Sequence, residues 1–297
     1  MEIQSKPDSA GKHLNIRLII AVPARLGSTR LPRKPLATLA GRPLIAHVAH
    51  RVAQCAREIC KTLSISEKEL LCLVATDSTE IADCLKESGL QICMTPSDLP
   101  SGTDRIEAAV MSLEQTGQNF PDDCVVINLQ GDEPFFCVED IVQLAKHMFS
   151  DGTVPMATLA FPQNKPEQFL RASVVKVVRN AAGNALYFSR APIAWPRALW
   201  GASDALTALG EKLQADAAIP FLQHVGIYAF RRNFLQAFTK MPPSTLETTE
   251  GLEQLRALEA GWNIRVVTAR EAPFGIDTMD DLLRAEHHLK TTERRRE

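Results

Sequence analysis

The amino-acid sequence predicts an α/β fold: a mainly parallel, Rossmann-like sheet flanked by helices, with a mixed or antiparallel extension embedded in its second half. Three observations predict it. The runs Leu18–Val22, Leu71–Ala75 and Val125–Leu129 are apolar almost throughout, as strands are when both faces of their sheet are covered. Segments of helical periodicity separate these runs, and strands joined by helices pair in parallel. From Val154 onward the apolar runs follow one another through loops, which predicts antiparallel or mixed pairing.

In chain order, Leu18–Val22 is the first strand and Pro23 can stop it. Leu44–Arg57 reads as a helix, Leu71–Ala75 as a strand, and about Thr79–Ser88 as a helix with Asp77 or Ser78 as its cap. Leu90–Met94 is strand-like, Thr103–Leu113 helical, Val125–Leu129 a strand and Val138–Phe149 a helix. Met156–Phe161, Val174–Arg179, Ala185–Ser189 and Val225–Arg231 read as strands, with a turn at Asn180–Asn184. This part is expected to form a lid and a dimerisation surface. Gly251–Ala260 reads as a helix, Ile264–Thr268 as a returning strand and Met279–Leu289 as the closing helix. Residues 1–15 are polar and predict a flexible extension, and residues 16–297 a single domain.

The 297 residues carry a formal net charge of −2, with 23% charged and 45% hydrophobic residues. That balance gives no electrostatic reason to bind nucleic acid or an anionic membrane. A basic segment is then a local feature, which favours a small anionic ligand over a polyanion, with a solvated, positively charged turn as the bland alternative. The seven cysteines include no CxxC pair, and Cys72, Cys93 and Cys124 lie inside apolar runs. Buried reduced thiols are expected rather than disulfides or zinc. Neither a signal-peptide core nor a membrane-length apolar run is present, so a cytoplasmic location is the expectation.

The basic segment is the loop after the first strand, PARLGSTRLPRKP (Pro23–Pro35). Gly27, Ser28 and Thr29 let backbone N–H groups approach an anion, while Arg25, Arg30, Arg33 and Lys34 supply cations. This chemistry suits the phosphates of a nucleoside triphosphate. The loop is not a GxxxxGK[ST] P-loop. Asp77, Asp132 in QGDEP and the basic loop all follow apolar strands, and parallel sheets bind ligands at such strand ends. Asp132, held in a tight turn between Gly131 and Pro134, is suited to Mg²⁺, which prefers one or two carboxylates plus phosphate oxygens; a solvated turn is the bland alternative. Asp277 in GIDT is a second candidate, or else a plain cap of the final helix.

Taken together, these segments resemble the 3-deoxy-manno-octulosonate (Kdo) cytidylyltransferases, also called CMP-Kdo synthetases. Further matches are VATD (Val74–Asp77), CMTPSDLPSGTDR (Cys93–Arg105), NLQGDEP (Asn128–Pro134), VVKVV (Val174–Val178), ALYFSRAPIAWPR (Ala185–Arg197), QHVGIY (Gln223–Tyr228), LEQLR (Leu252–Arg256) and GIDT (Gly275–Thr278). The chain departs from the family at Arg33, where a glycine is expected. Glu58–Leu70 and Arg197–Ile219 look longer than usual.

The resemblance implies a Mg²⁺-dependent nucleotidyltransferase fold and reaction: CTP plus Kdo gives CMP-Kdo plus pyrophosphate, for lipopolysaccharide synthesis, in a homodimer. Residues 16–150 would form the CTP-binding half, 151–262 the acceptor-sugar and lid part, and 263–297 the returning strand and helix. Arg25, Arg30, Lys34 and Asp132 would carry catalysis, with Asp132 and Asp277 as metal ligands. Ala24, Ser28, Thr29, Thr76, Asp77, Ser101, Gly102, Thr103 and Arg105 would bind the nucleotide. Gln130, Arg190, Arg197, His224, Tyr228, Glu253 and Gln254 would bind the sugar. In a strand, the four-residue spacing of His224 and Tyr228 puts both on one face. The rival expectations are a cytidylyltransferase for another acidic sugar, such as an 8-amino Kdo analogue or a sialic acid, and a catalytically silent nucleotide-binding module.

Overall fold

Strand β1 (Leu18–Ala24) alternates its apolar side chains between two cores, as a strand with both faces covered must. Leu18, Ile20 and Val22 enter one buried cluster, and Ile19 and Ala21 the other. In the computed structural model, which describes residues 15–27, 30–201 and 218–293, the other strands are β2 (Thr38–Leu39), β3 (Arg42–Pro43), β4 (Leu70–Thr76), β5 (Gln91–Met94), β6 (Val125–Asn128), β7 (Met156–Gln163), β8 (Lys176–Arg179), β9 (Ala185–Ser189), β10 (Phe221–Arg231) and β11 (Ile264–Thr268). One nine-stranded sheet runs in the order β11-β7-β10-β6-β1-β4-β5, with β8 and β9 branching from β10. β5, β4, β1 and β6 are parallel neighbours. β10 is antiparallel to both β6 and β7, and β7 is parallel to β11. The main path is therefore parallel apart from β10, and the β8–β9 hairpin supplies the antiparallel extension.

Helices α1 (Leu44–Leu63), α2 (Thr79–Cys84) and α4 (Val138–Ser150) cover one face, where Val48, Val52, Ile81, Ile141 and Leu144 are buried. Helix α3 (Gly102–Gln115) and the helix Arg232–Lys240 cover the other, burying Ile106, Val110, Phe234 and Phe238. A smaller core joins Leu31, Leu39 and Leu44 to Ile276, Leu282 and Ala285. It docks the start of the final helix (Met279–Glu293) against the basic loop.

Several expected bounds move. Pro23 does not stop β1, which runs on to Ala24 in register with Thr76 of β4. Part of the longer segment Glu58–Leu70 extends α1 to Leu63, and Ser66 then opens a short turn with a capping box to Glu69. α2 is shorter than expected, with Ser78 rather than Asp77 as its cap. Gly251–Ala260 is not one helix, because Gly251 adopts φ 62° and ends a helix Thr245–Glu250; a short helix resumes at Leu255–Glu259. The expected extension 1–15 lies almost wholly outside the described residues, as does 202–217 of the second long segment.

Candidate active site

The C-terminal ends of β1 and β6 open on a crevice of about 400 Å³, lined by residues of the basic loop, the start of α3, the QGDEP turn and Asp277. The turn is drawn against β1. A Cβ on Gly131 would lie 2.8 Å from the Pro23 carbonyl oxygen, so only glycine fits there. The Ile276 N–H donates to the Asp132 carbonyl at 3.0 Å, which ties the QGDEP turn to GIDT across 144 positions of the chain (276 against 132).

Lys34 stands between the two aspartates. Its Nζ pairs with Asp132 and lies 2.8 Å from Asp277 Oδ1, which Arg30 also approaches at 3.1 Å. Burial opposes the Lys34 charge, but Asp132 and Asp277 together outweigh it and raise the pKa above the ordinary lysine value. Asp277 is not the helix cap. The Thr278 hydroxyl accepts from the Asp281 N–H, and the Asp281 carboxylate accepts from the Asp277 and Thr278 N–H groups. That leaves the Asp277 carboxylate for cations. Arg25, Gly27, Ser101, Gly102, Arg105 and Gln130 join the lining. Arg33 instead pairs with Glu80 of α2, on the surface. Ser28 and Thr29 lie outside the described residues.

The residues expected on the nucleotide side divide into lining and support. Ser101 caps α3, accepting from the Asp104 N–H at 3.2 Å, and still faces the crevice. Arg105 is buried and donates to Asp77 (3.1 Å), to the Thr95 hydroxyl (2.6 Å) and to the Pro96 carbonyl (3.1 Å). Thr76 is buried and accepts from the Ser78 N–H. Thus Thr76, Asp77 and Arg105 hold the ends of β4 and β5 in place, and Arg105 alone of the three lines the crevice.

Of the expected sugar-side residues, Gln130, His224, Tyr228, Glu253 and Gln254 form a second, largely buried cluster. β10 carries a bulge, since Val225 pairs with Leu159 but Tyr228 with Thr158. Four residues of regular strand span about 13 Å, yet the His224 and Tyr228 rings are 5.4 Å apart. Thr158 takes up the bulge by facing the Val225 and Ile227 carbonyls, and the Gln130 amide donates to the Gly226 carbonyl at 2.9 Å. The Thr158 hydroxyl has one proton and these carbonyls take it, so His224 Nε2, 3.0 Å away, is the donor to that oxygen. Burial pushes the His224 pKa down to about 3 and, helped by Glu253 and Glu133, moves Tyr228 upward. The Tyr228 hydroxyl donates to Gln254 Oε1 at 3.0 Å, and the Thr103 hydroxyl to Glu253 Oε2 at 2.7 Å.

Arg190 and Arg197 are not brought into this cluster by any described contact. The Arg190 guanidinium donates to the carbonyls of Ala172, Glu250 and Gly251, closing the C-terminus of the helix Thr245–Glu250. Arg197 opens the short helix Arg197–Trp200.

Comparison with known proteins sets this geometry in a family. The family model described as cytidylyltransferase matches residues 19–266. A 3-deoxy-manno-octulosonate cytidylyltransferase of Stenotrophomonas maltophilia is 44% identical over 279 residues, covering 92% of this chain and 97% of that protein. One from Polynucleobacter asymbioticus is 40% identical over 275 residues, covering 92% and 96%. The chain belongs to the 3-deoxy-manno-octulosonate cytidylyltransferase family. It is an enzyme, a nucleotidyltransferase. A solved CMP:2-keto-3-deoxy-manno-octonic acid synthetase complexed with CTP superposes with a TM-score of 0.74 at 35% identity, over 93% of this chain and 99% of that one. A 4-diphosphocytidyl-2C-methyl-D-erythritol synthase from Anaerococcus prevotii, at 13% identity and TM-score 0.53, shares the fold.

Two features of this cytidylyltransferase were not singled out as site residues from the sequence. Glu133, half-buried behind Asp132, has its pKa pushed up to about 7 by burial and by the charges of Asp132 and Asp277. Asn128 is buried at the end of β6. Its signal was present: it is the one polar residue in the run Val125–Leu129. No group of three or more His, Cys, Asp or Glu among the described residues could hold a metal ion. Two carboxylates within reach of one ammonium do suit an ion that completes its shell with substrate phosphate oxygens, as Mg²⁺ does.

Proposed function

We propose that this chain transfers a cytidylyl group from CTP to Kdo, releasing CMP-Kdo and pyrophosphate, with Mg²⁺ as its metal. A homodimer in the cytoplasm, supplying a lipopolysaccharide precursor, is the setting this reading implies. The observation that carries it is the meeting of Asp132, Asp277, Lys34 and Arg30 at the strand-end crevice, within a family whose named members are Kdo cytidylyltransferases. A sugar hydroxyl attacks the α-phosphorus of CTP and the pyrophosphate oxygen leaves. Arg25, Arg30 and Lys34 hold the triphosphate and offset the charge that grows on the leaving group. The start of α3, with Ser101 and Gly102, offers short polar contacts and backbone N–H groups to the nucleoside. Asp132 and Asp277 would hold Mg²⁺, which when bound supplies divalent charge to the phosphate oxygens and to the attacking oxygen. Gln130, Tyr228, Glu253 and Gln254 orient the acceptor, and the neutral His224 contributes hydrogen bonding rather than charge.

The test is a coupled pyrophosphate assay with CTP and a panel of Kdo, 8-amino Kdo and a sialic acid, with and without Mg²⁺. Metal-dependent release with Kdo is the expected outcome. Preference for another acidic sugar would replace the acceptor, and no release with any of them would return the chain to a silent nucleotide-binding module.

A further inference from the structure

Beneath the crevice, a chain of hydrogen bonds crosses three elements. Asn128 Nδ2 of β6 donates to Thr103 Oγ1 of α3 at 3.5 Å, and Thr103 donates to Glu253 Oε2 at 2.7 Å. Thr103 has a single hydroxyl proton, so the chain runs one way, from amide to hydroxyl to carboxylate. Among the described residues it leaves Asn128 Oδ1 and Glu253 Oε1 buried without a partner, and beside them Gln254 Nε2, whose own oxygen is taken by Tyr228. Asn128 and Gln254 are each 2% exposed. Native interiors rarely strand such groups, and one or two orphans call for an explanation. Here two acceptors belong to one chain of hydrogen bonds, and one donor belongs to the residue next to Glu253. Their natural complement is a polyol, which offers hydroxyl protons to both oxygens and a lone pair to the amide.

We propose that Thr103 is a positioning residue for the acceptor rather than a nucleotide contact. It fixes Glu253 so that Glu253, Asn128 and Gln254 together read neighbouring hydroxyl groups of the sugar. The inference rests on the transferase reading for the identity of the sugar. It adds Asn128 as a specificity residue and gives Thr103 its part through Glu253. It also links the two halves of the site. Thr103 follows Ser101 and Gly102 in the first turn of α3, so whatever the nucleotide does to that turn reaches Glu253 through one hydrogen bond.

Thr103→Val removes the hydroxyl at nearly constant volume, and Thr103→Ser keeps it. Both are compared with wild type for KM of each substrate, kcat, calorimetric binding of CTP, and calorimetric binding of Kdo to the CTP-loaded, metal-free protein. Thr103→Val should weaken Kdo binding and raise its KM about tenfold, the usual consequence of unpairing a buried polar group. CTP binding should stay within about twofold, and Thr103→Ser should restore Kdo affinity. Equal loss of CTP binding would return Thr103 to the nucleotide site. Lowered thermal stability with unchanged Kdo binding would make the network a purely structural one. Wild type that binds Kdo without turnover would overturn only the transferase reading, whereas wild type that binds no Kdo would overturn this inference.

Discussion

The crevice at the parallel strand ends and the cluster around β10 satisfy their polar groups in opposite ways. In the crevice the charges satisfy one another: Lys34 pairs with Asp132 and Asp277, and Arg30 with Asp277. In the cluster the groups are buried and mostly neutral, and three polar atoms have no partner among the described residues. On the proposed reading, a triphosphate entering the crevice would compete with internal ion pairs, while a sugar entering the cluster would supply what is missing. The first site therefore answers to charge, the second to the count of donors and acceptors.

In the crevice, removing charge should have the largest effect on turnover. Asp132→Asn keeps the shape of the turn but takes away one anion. Turnover should fall about 10²–10³-fold with the fold intact. In the same crevice, Lys34→Ala and Arg30→Ala should each cost about 1.5–3 kcal/mol of CTP binding or transition-state stabilisation. Steady-state kinetics alongside circular dichroism measures both. Near-normal turnover of folded Asp132→Asn would break the contrast, because the crevice would then not depend on its carboxylates.

On the extension side, integrity rests on buried hydrogen bonds. Lys176 of β8 is fully buried, and its ammonium donates to the carbonyls of Arg171, Val174 and Arg190. Burial draws its pKa down to about 8, and three acceptors for three donors keep it charged at neutral pH. Lys176→Met would strand all three carbonyls. We expect a loss of about 3 kcal/mol or more in urea unfolding, with the crevice residues untouched. A variant as stable as wild type would show that the extension tolerates unpaired polar groups, and the orphans of the sugar cluster would lose their significance.

His224 gives the comparison a pH dependence. Its folded pKa is near 3, below the ordinary value of 6.5. Below about pH 6.5 the unfolded chain takes a proton that the folded chain refuses. His224 thus favours folding less and less as pH falls towards 3, by at most about 1.4 kcal/mol per pH unit. Urea melts at pH 7, 6 and 5 should show wild type losing stability faster than His224→Gln. Parallel losses would mean that the imidazole is solvated.

The crevice was largely legible in the sequence because its chemistry is contiguous. A strand end, a run of small residues and several cations stand within Pro23–Pro35, and the strand-end rule brings Asp132 to the same place. The cluster was not legible in the same way. The approach of His224 to Tyr228 depends on a bulge that period-2 reasoning does not contain. The position of Glu253 depends on the left-handed turn at Gly251, which reads as easily as a helix start. The helix Arg232–Lys240 was missed because it leaves β10 with no side-chain cap and no breaker. The helix Thr245–Glu250 did have a signal, the Ser244–Glu247 capping box. Arg190 shows the deeper limit: a sequence names a cation without saying that backbone carbonyls have already claimed it.

The smallest effect is expected at Arg33. Arg33 adopts φ 54°, a left-handed conformation that favours glycine, and its guanidinium meets Glu80 on the surface. Both side chains are more than half exposed, and exposed pairs hold little net energy because water and salt screen them. Arg33→Gly therefore trades a weak pair for relief of backbone strain, against a floppier unfolded chain. These terms oppose one another, so the melting temperature should move by no more than about 3 °C. The KM for CTP should stay within about twofold of wild type, because Arg33 is turned to Glu80 and not to the crevice. Lys34, one residue along, should behave quite differently. If Arg33→Gly weakened CTP as much as Lys34→Ala does, the crevice would extend over α2, and its charges would reach well beyond the group around Asp132 and Asp277.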